Sequence, residues 1–151
     1  MTAADSRAYK VYELSRWLTR FGWLILVVAL FYAPWREYAL PTAQFIFPAI
    51  LCLLYIWMVW DGRGGFKENG LKTFFVLDNI GKLYTNKSAL NASWLHFLAL
   101  DLFAGGFMVR DGLALDMPIW MIFLCLPFTL MLGPVGVLLY IVLRVALFGF
   151  P

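Results

Sequence analysis

The chain has 151 residues, of which 63% are hydrophobic and 14% are charged, with a formal net charge of +3 and a mean hydropathy of +0.79. Soluble domains average about a quarter charged residues. The composition therefore excludes a disordered protein, a secreted disulfide scaffold and a nucleic-acid-binding domain. It predicts an integral membrane protein with one domain over residues 1–151.

Four apolar runs follow one another along the chain. A transmembrane helix needs about 20 mainly apolar residues, and the runs predict spans at about 17–33, 43–60, 92–109 and 118–148. The first run is not followed by the small-residue cleavage site of a signal peptide, so we interpret it as a helix of the mature protein. The predicted fold class is an all-α membrane protein with four transmembrane helices.

Lysine and arginine alternate between the segments that connect these helices. The N-terminal segment has four, the first link one, the central segment five, the third link one, and Arg144 lies at the end of the fourth helix. Because cytoplasmic segments carry an excess of these residues, this alternation places both termini and the central segment in the cytoplasm.

The central segment between helices 2 and 3 is itself patterned. Over residues 66–93, apolar residues recur at near-helical spacing beside lysines and Asp78, which predicts an amphipathic helix at the cytoplasmic interface. Such a helix would serve as an anchor to anionic lipid or as a substrate gate. The basic, tyrosine-containing N-terminus is interpreted as a shorter example. The apolar positions of the central segment are Leu71, Phe74, Phe75, Leu77, Ile80, Leu83 and Tyr84.

Asp101 lies near the middle of the third predicted helix. A carboxyl group at that depth costs about 2.5–3.5 kcal/mol on insertion scales, so we expect it to face protein. Ala104 and Gly105, one turn on, would leave a groove beside it. Pro127 and Pro134 in the fourth helix each free a carbonyl four residues earlier. Asp101 is therefore either a polar clamp onto such a carbonyl or a functional acid.

His96 is the only histidine of the chain and lies five residues before Asp101. At 3.6 residues per turn the two are about 140° apart, which excludes a direct relay within the helix but lets both border one cavity. The alternative is a hydrogen-bonded anchor near the interface. One histidine and two distant cysteines form no metal set, and no cofactor-binding motif occurs, so we expect neither metal nor cofactor.

One stripe of the predicted fourth helix is small, then aromatic, then cationic. Gly133, Gly136, Tyr140 and Arg144 fall at i, i+3, i+7 and i+11. Antiparallel packing of helices three and four would bring Arg144 close to His96 and Trp94. The alternative is an arginine that reaches towards the interface.

The segment Ser93–Gly105, SWLHFLALDLFAG, resembles the W-x-H-x-L-x-x-D-L-F segment of the neoxanthin synthase-like family, which is named for a plant abscisic-acid-deficient mutant. Arg110-Asp111-Gly112 and the later Gly133–Gly136 resemble that family's R-D and G-P-V-G elements. The similarity covers roughly residues 78–144, whereas the first two helices match in hydropathy alone.

The resemblance implies a four-helix membrane protein of carotenoid metabolism. In plants the family is needed to convert the epoxy-carotenoid violaxanthin into allenic neoxanthin, an isomerisation without a redox cofactor. On position and resemblance we assign Asp101 as proton donor and His96 as base or relay. The residues expected to line a long apolar groove for the substrate are Trp94, Phe103, Gly105, Gly133, Pro134, Gly136, Tyr140 and Arg144.

The expected partners are a carotenoid or another long isoprenoid and the lipid bilayer, with a homo-oligomer or a carotenoid enzyme left open. The alternative function is a non-catalytic carotenoid- or lipid-binding helper, which the same groove would serve. A transporter is disfavoured because no internal repeat occurs. A plastid transit segment rich in serine and arginine is missing, so we expect a bacterial inner membrane.

Overall fold

The computed structural model describes residues 3–62 and 75–149. Within these ranges the regular secondary structure is helical. A π-helical turn over Thr42–Ile46 connects the second helix to the third. The α-helices are α1 (Ala3–Phe31), α2 (Arg36–Pro41), α3 (Phe47–Asp61), α4 (Leu77–Leu83), α5 (Lys87–Ala114), α6 (Ile119–Leu132) and α7 (Pro134–Phe148).

Three helical stretches have both the length and the apolar character that a membrane crossing requires: Asp5–Phe31, Ala33–Asp61 and Lys87–Ala114. They contain the second and third predicted spans and the first as far as Phe31, two residues short of its predicted end, and they support the all-α membrane class. At its other end α1 extends beyond the prediction, because it includes the N-terminal segment for which the sequence predicts a separate interfacial helix. Residues 3–31 form one continuous helix.

Helices α1, α3 and α5 meet at one end of the bundle. Arg7 forms an ion pair with Asp61 at 2.7 Å, and Ser88 donates a 2.7 Å hydrogen bond to the same carboxylate. Lys87 lies 3.7 Å from Asp5. The start of α1, the end of α3 and the start of α5 are therefore held together by charge, and we call these five residues the charged end.

Helix α1 runs parallel to α5 from this end. The Asn91 side-chain amide donates to the Ala8 carbonyl at 3.0 Å, and further along the Trp23 ring packs on Gly105. Helix α5 begins at Lys87 because Asn86 caps it: the Asn86 side-chain oxygen accepts hydrogen bonds from the backbone N–H groups of Ser88 and Ala89. Helix α5 is thus the central element, with α1 and α3 packed against it.

The prediction of one continuous fourth helix over 118–148 is wrong. The helix ends at Gly133, whose φ of +20° and ψ of −80° are not helical, and α7 starts at Pro134. Gly136 lies directly against Thr129, whereas a straight helix would separate these two residues by about 10 Å. The physical reason is the Gly-Pro pair, because a proline disfavours the helical conformation of the residue before it.

Helices α6 and α7 form a hairpin that covers part of α5. With 14 and 15 residues, each helix is about 21–23 Å long, which is shorter than a hydrocarbon core of about 30 Å. The turn at Gly133 and Pro134, which we call the elbow, contacts Asp101 in the middle of α5. Arg144 on α7 returns to Asp111 near the end of α5.

The two chain ends lie at opposite ends of α5 in consequence. Asp5 is beside Lys87, and Arg144 is beside Asp111. The 24 residues between Lys87 and Asp111 span about 36 Å of helix. This arrangement disfavours the prediction that both termini lie on the same side of the membrane, because the elbow sends the chain back towards the end of the bundle from which α6 came.

The predicted amphipathic segment over 66–93 is described only in part, since residues 63–74 lie outside the described ranges. In the remainder, α4 is a short helix that buries Leu83 and leaves Phe75 and Leu77 strongly exposed. From Lys87 onwards the segment belongs to α5 rather than to an interfacial helix.

The hairpin topology predicts that the two termini are accessible from opposite sides. We expect a reporter fused at the N-terminus and the same reporter fused after Gly149 to give opposite readouts in a bacterial host. Alkaline phosphatase, which is active only outside the cytoplasm, and green fluorescent protein, which folds inside it, form the matched pair. Equal readouts from both ends would contradict the hairpin.

The Asp111 carboxylate holds α7 to α5, which predicts a stability effect. Tyr140 and Arg144 both hydrogen-bond to its Oδ2 atom. We expect Asp111→Asn to lower the free energy of unfolding by about 1–3 kcal/mol, because a partly buried arginine loses its counter-charge. Thermal unfolding in nanodiscs measures the change. Asp116→Asn, at an exposed site, is the control, and equal shifts for the two variants would exclude the proposed role of the pair.

Candidate functional site

Asp101 lies where the elbow meets the middle of α5. One of its carboxyl oxygens occupies the space that a side chain at residue 133 would need, which explains why only glycine fits there. Asp101 is partly buried, and it makes no hydrogen bond or ion pair within the part of the chain that the structure describes. An unpaired carboxyl group in an apolar bundle is a candidate functional group.

The space predicted beside Gly105 is filled rather than open. The Trp23 ring lies 2.8 Å from the position that a Cβ at Gly105 would take, and the Gln44 side chain lies 2.6 Å from the equivalent position at Gly106. These two glycines therefore let α1 and the π-helical turn approach α5. Gly105 is a packing residue in this structure, one turn above Asp101.

Sequence reasoning missed a set of buried polar atoms around this level of α5. The Trp23 indole N–H, the Gln44 side-chain oxygen and the Thr19 hydroxyl are buried without a hydrogen-bond partner among the described residues. Gln44 could have been identified from the sequence, because burying a side-chain amide within an apolar span is energetically unfavourable. It also lies in the π-helical turn, a distortion that frequently occurs at functional sites.

His96 lies on a different side of α5 from Asp101. Its ring is exposed and contacts Tyr55 of α3, with ring centroids 5.9 Å apart. The structure therefore does not bring His96 and Asp101 together. Within residues 3–62 and 75–149, no three histidine, cysteine, aspartate or glutamate side chains converge where they could hold a metal ion.

Trp94 lies in a cleft near the charged end, on the same face of α5 as Asp101. Seven residues separate the two, which is close to two full turns, so Trp94 is about 10 Å nearer the charged end. Phe103 points elsewhere, because its ring packs edge-on against Phe45 at 6.1 Å. The cleft has a volume of about 380 Å³ and is lined by Ala8, Tyr9, Tyr12, Lys87, Leu90, Asn91 and Trp94.

Tyr140 and Arg144 are both engaged at the far end of α5. The Tyr140 hydroxyl donates to Asp111 Oδ2 at 2.6 Å, and Arg144 Nε donates to the same oxygen at 2.8 Å. The prediction that Arg144 lies near His96 is wrong, because α7 runs back towards Asp111. Gly136 is buried against Thr129 within the hairpin.

The predicted site residues thus fall into separate zones along α5. Asp101, Gly133 and Pro134 form the elbow zone, and Trp94 belongs to the cleft. Gly136, Tyr140 and Arg144 belong to the hairpin and its attachment. Of these zones, the elbow alone combines an unpaired titratable group with a backbone that has left regular helix geometry.

Comparison with known proteins gives one family. The model of the ABA DEFICIENT 4-like family matches residues 10–140, a range that includes Asp101, the elbow, Tyr140 and the cleft residues other than Ala8 and Tyr9. No curated protein and no solved structure matches the chain. Because the family match covers most of the chain and three helices suit a membrane crossing, the protein is a membrane protein that belongs to the ABA DEFICIENT 4-like family.

Proposed function

We propose that this carotenoid-related membrane protein isomerises an epoxy-carotenoid, with Asp101 as the acid. The family supports the substrate class. The observation that carries the assignment is the unpaired Asp101 carboxyl group at the elbow. The other acidic residue of α5 is Asp111, and its carboxylate already accepts hydrogen bonds from Tyr140 and Arg144.

The proposed substrate is long and apolar, and we propose that it reaches Asp101 from the bilayer. Leu90, Trp94 and Phe97 expose about half of their surface on the part of α5 between the charged end and Asp101. The hairpin contacts α5 from Asp101 to Asp111, so it leaves this exposed stretch uncovered. We propose that the polyene lies along this stretch, with its epoxide at the elbow.

The reaction transfers one proton and changes no oxidation state. The acid protonates the epoxide oxygen while the C–O bond next to the polyene breaks, and the oxygen stays on the ring as a tertiary alcohol. The first chain carbon loses its hydrogen as a proton, and the electron pair of that C–H bond becomes the second double bond of the allene. One proton is given and one is taken, so a single carboxyl group in both roles returns to its starting state.

The same chemistry can use two groups, with Asp101 as donor and His96 as base or relay. His96 is directed towards Tyr55 of α3, about 140° round the helix from Asp101. The epoxide-bearing end ring of a carotenoid at the elbow would therefore have to extend around α5 to contact both Asp101 and His96. We favour the version in which Asp101 gives and takes the proton.

Asp101→Asn is expected to lower the isomer yield by at least about 100-fold, because general acid–base catalysis contributes about 10²–10⁴ and an amide cannot supply it. The measurement is chromatography with mass detection on pigments from an epoxy-carotenoid-producing host. The product is an isomer of unchanged mass. Asp116→Asn is the matched control, and expression is checked in the membrane fraction. Normal yield from Asp101→Asn would refute the assignment.

His96→Ala is expected to keep a yield close to that of the unsubstituted protein, because the His96 ring does not contact Asp101. The same pigment assay measures it, and Tyr55→Ala, which removes the other ring of this contact, controls for a disturbed contact between α3 and α5. A loss comparable with that of Asp101→Asn would instead support the two-residue version.

A second candidate function is a non-catalytic carotenoid- or lipid-binding helper. The contact between Asp101 and Gly133 favours the helper function, because the Asp101 carboxyl group would then serve to hold the elbow against α5. The pigment assay separates the two functions: unchanged pigments that co-purify with the protein would support the helper.

We propose a bacterial inner membrane as the location, with the charged end towards the cytoplasm. Among the described residues, α1 carries four basic residues between its start at the charged end and Arg20, and none from there to Phe31; they are Arg7, Lys10, Arg16 and Arg20. Such an excess of arginine and lysine marks a cytoplasmic end. The C-terminus would then face the opposite compartment. A homo-oligomer or a carotenoid enzyme as partner stays a prediction.

A further inference from the structure

We propose that the cleft near the charged end binds the hydroxylated end ring of a carotenoid, whose hydroxyl group donates a hydrogen bond to Asn91. The identity of the ligand class rests on the proposed function. The cleft is separate from the elbow, since Asn91 and Asp101 are ten residues and about 15 Å apart along α5. The ring that it holds is therefore not the reacting one.

The walls of the cleft suit an apolar ring. Tyr9, Tyr12 and Trp94 supply aromatic surface and Leu90 an aliphatic side chain, around a volume of about 380 Å³. Pockets of a few hundred Å³ with apolar and aromatic walls are typical of small-molecule sites. Lys87 does not favour an anionic headgroup, because it pairs with Asp5 and lies over the Tyr9 ring at 5.1 Å.

Asn91 provides the polar group that would recognise a hydroxyl. Its side chain lines the cleft and is 6% exposed. The amide nitrogen donates to the Ala8 carbonyl, whereas the amide oxygen has no partner among the described residues. A buried acceptor without a donor is unfavourable. A ligand hydroxyl would donate a hydrogen bond to the Asn91 amide oxygen after the half-exposed side chains that line the cleft shift slightly outward.

The position of the cleft fits the polarity of such a ligand. In the proposed orientation the charged end lies towards water, so a hydroxylated ring would lie near the interface. The attached polyene would then lie along Leu90, Trp94 and Phe97 towards the membrane centre. A carotenoid held in this way is stored next to the route to Asp101.

The test is a binding titration with the full-length protein in nanodiscs. Zeaxanthin has a hydroxyl on each end ring, and β-carotene has the same skeleton without hydroxyls. Quenching of tryptophan fluorescence reports binding. We expect zeaxanthin to bind roughly 3- to 10-fold more tightly, the range that one neutral hydrogen bond provides. Equal affinities would overturn the proposal.

Two variants locate the effect. Asn91→Leu is expected to remove the preference for zeaxanthin, whereas Asn79→Leu, on α4 outside the cleft, is expected to keep it. Leu90→Trp fills the cleft from an exposed position without removing a structural contact, and it is expected to weaken binding of both pigments. A preference that persists in Asn91→Leu, or normal binding by Leu90→Trp, would count against the cleft.

The outcomes separate this inference from the proposed function. If zeaxanthin preference depends on Asn91 but no isomer forms in the pigment assay, the isomerase proposal fails and the cleft stands. If an isomer forms in an Asp101-dependent manner and Asn91→Leu changes neither binding nor preference, the cleft proposal fails and the isomerase stands.

Discussion

A chain that reverses inside a membrane exposes backbone groups that lipid cannot hydrogen-bond, and the structure depends on how the elbow meets this constraint. Pro134 has no N–H to satisfy. The Gly133 carbonyl accepts from the Val137 N–H at 3.2 Å. Gly133 is buried against Asp101 of α5, and the exposed residue of the elbow is Pro134. The same contact brings an unpaired carboxyl group to irregular backbone, so fold and candidate chemistry arise from one feature.

Helix α5 then divides the molecule into zones with different tasks. At its start, charge pairs join it to α1 and α3. At its end, Asp111 secures α7 through two hydrogen bonds to one oxygen. Between these attachments lie an aromatic cleft and a carboxyl group on one face. Polar contacts therefore attach the neighbouring helices to both ends of α5. The face between these ends is the one to which the proposed function assigns an apolar ligand.

Composition and periodicity predicted the membrane class and, to within a few residues, the first three spans. They also placed the glycine–proline segment opposite Asp101, but the predicted alternative of a hydrogen bond from Asp101 to a freed carbonyl does not form. They could not predict the hairpin, because a Gly-Pro pair inside an apolar run is compatible with a kinked helix as well as with a reversal. The predicted position of Arg144 is wrong for the same reason, because the partner of Arg144 depends on the direction in which α7 runs. Trp23 was missed because a tryptophan in an apolar run gives no sign of an unpaired N–H.

The hairpin makes the protein unequal towards the two leaflets of its bilayer. It shields α5 from Asp101 to the C-terminal end of that helix and leaves the part towards the charged end uncovered. On the proposed function, a pigment dissolved in the leaflet at the charged end would diffuse laterally onto α5, whereas one confined to the other leaflet would meet α6 and α7. Access to Asp101 would then be leaflet-selective, and substrate supply would depend on the side on which the membrane receives its carotenoids.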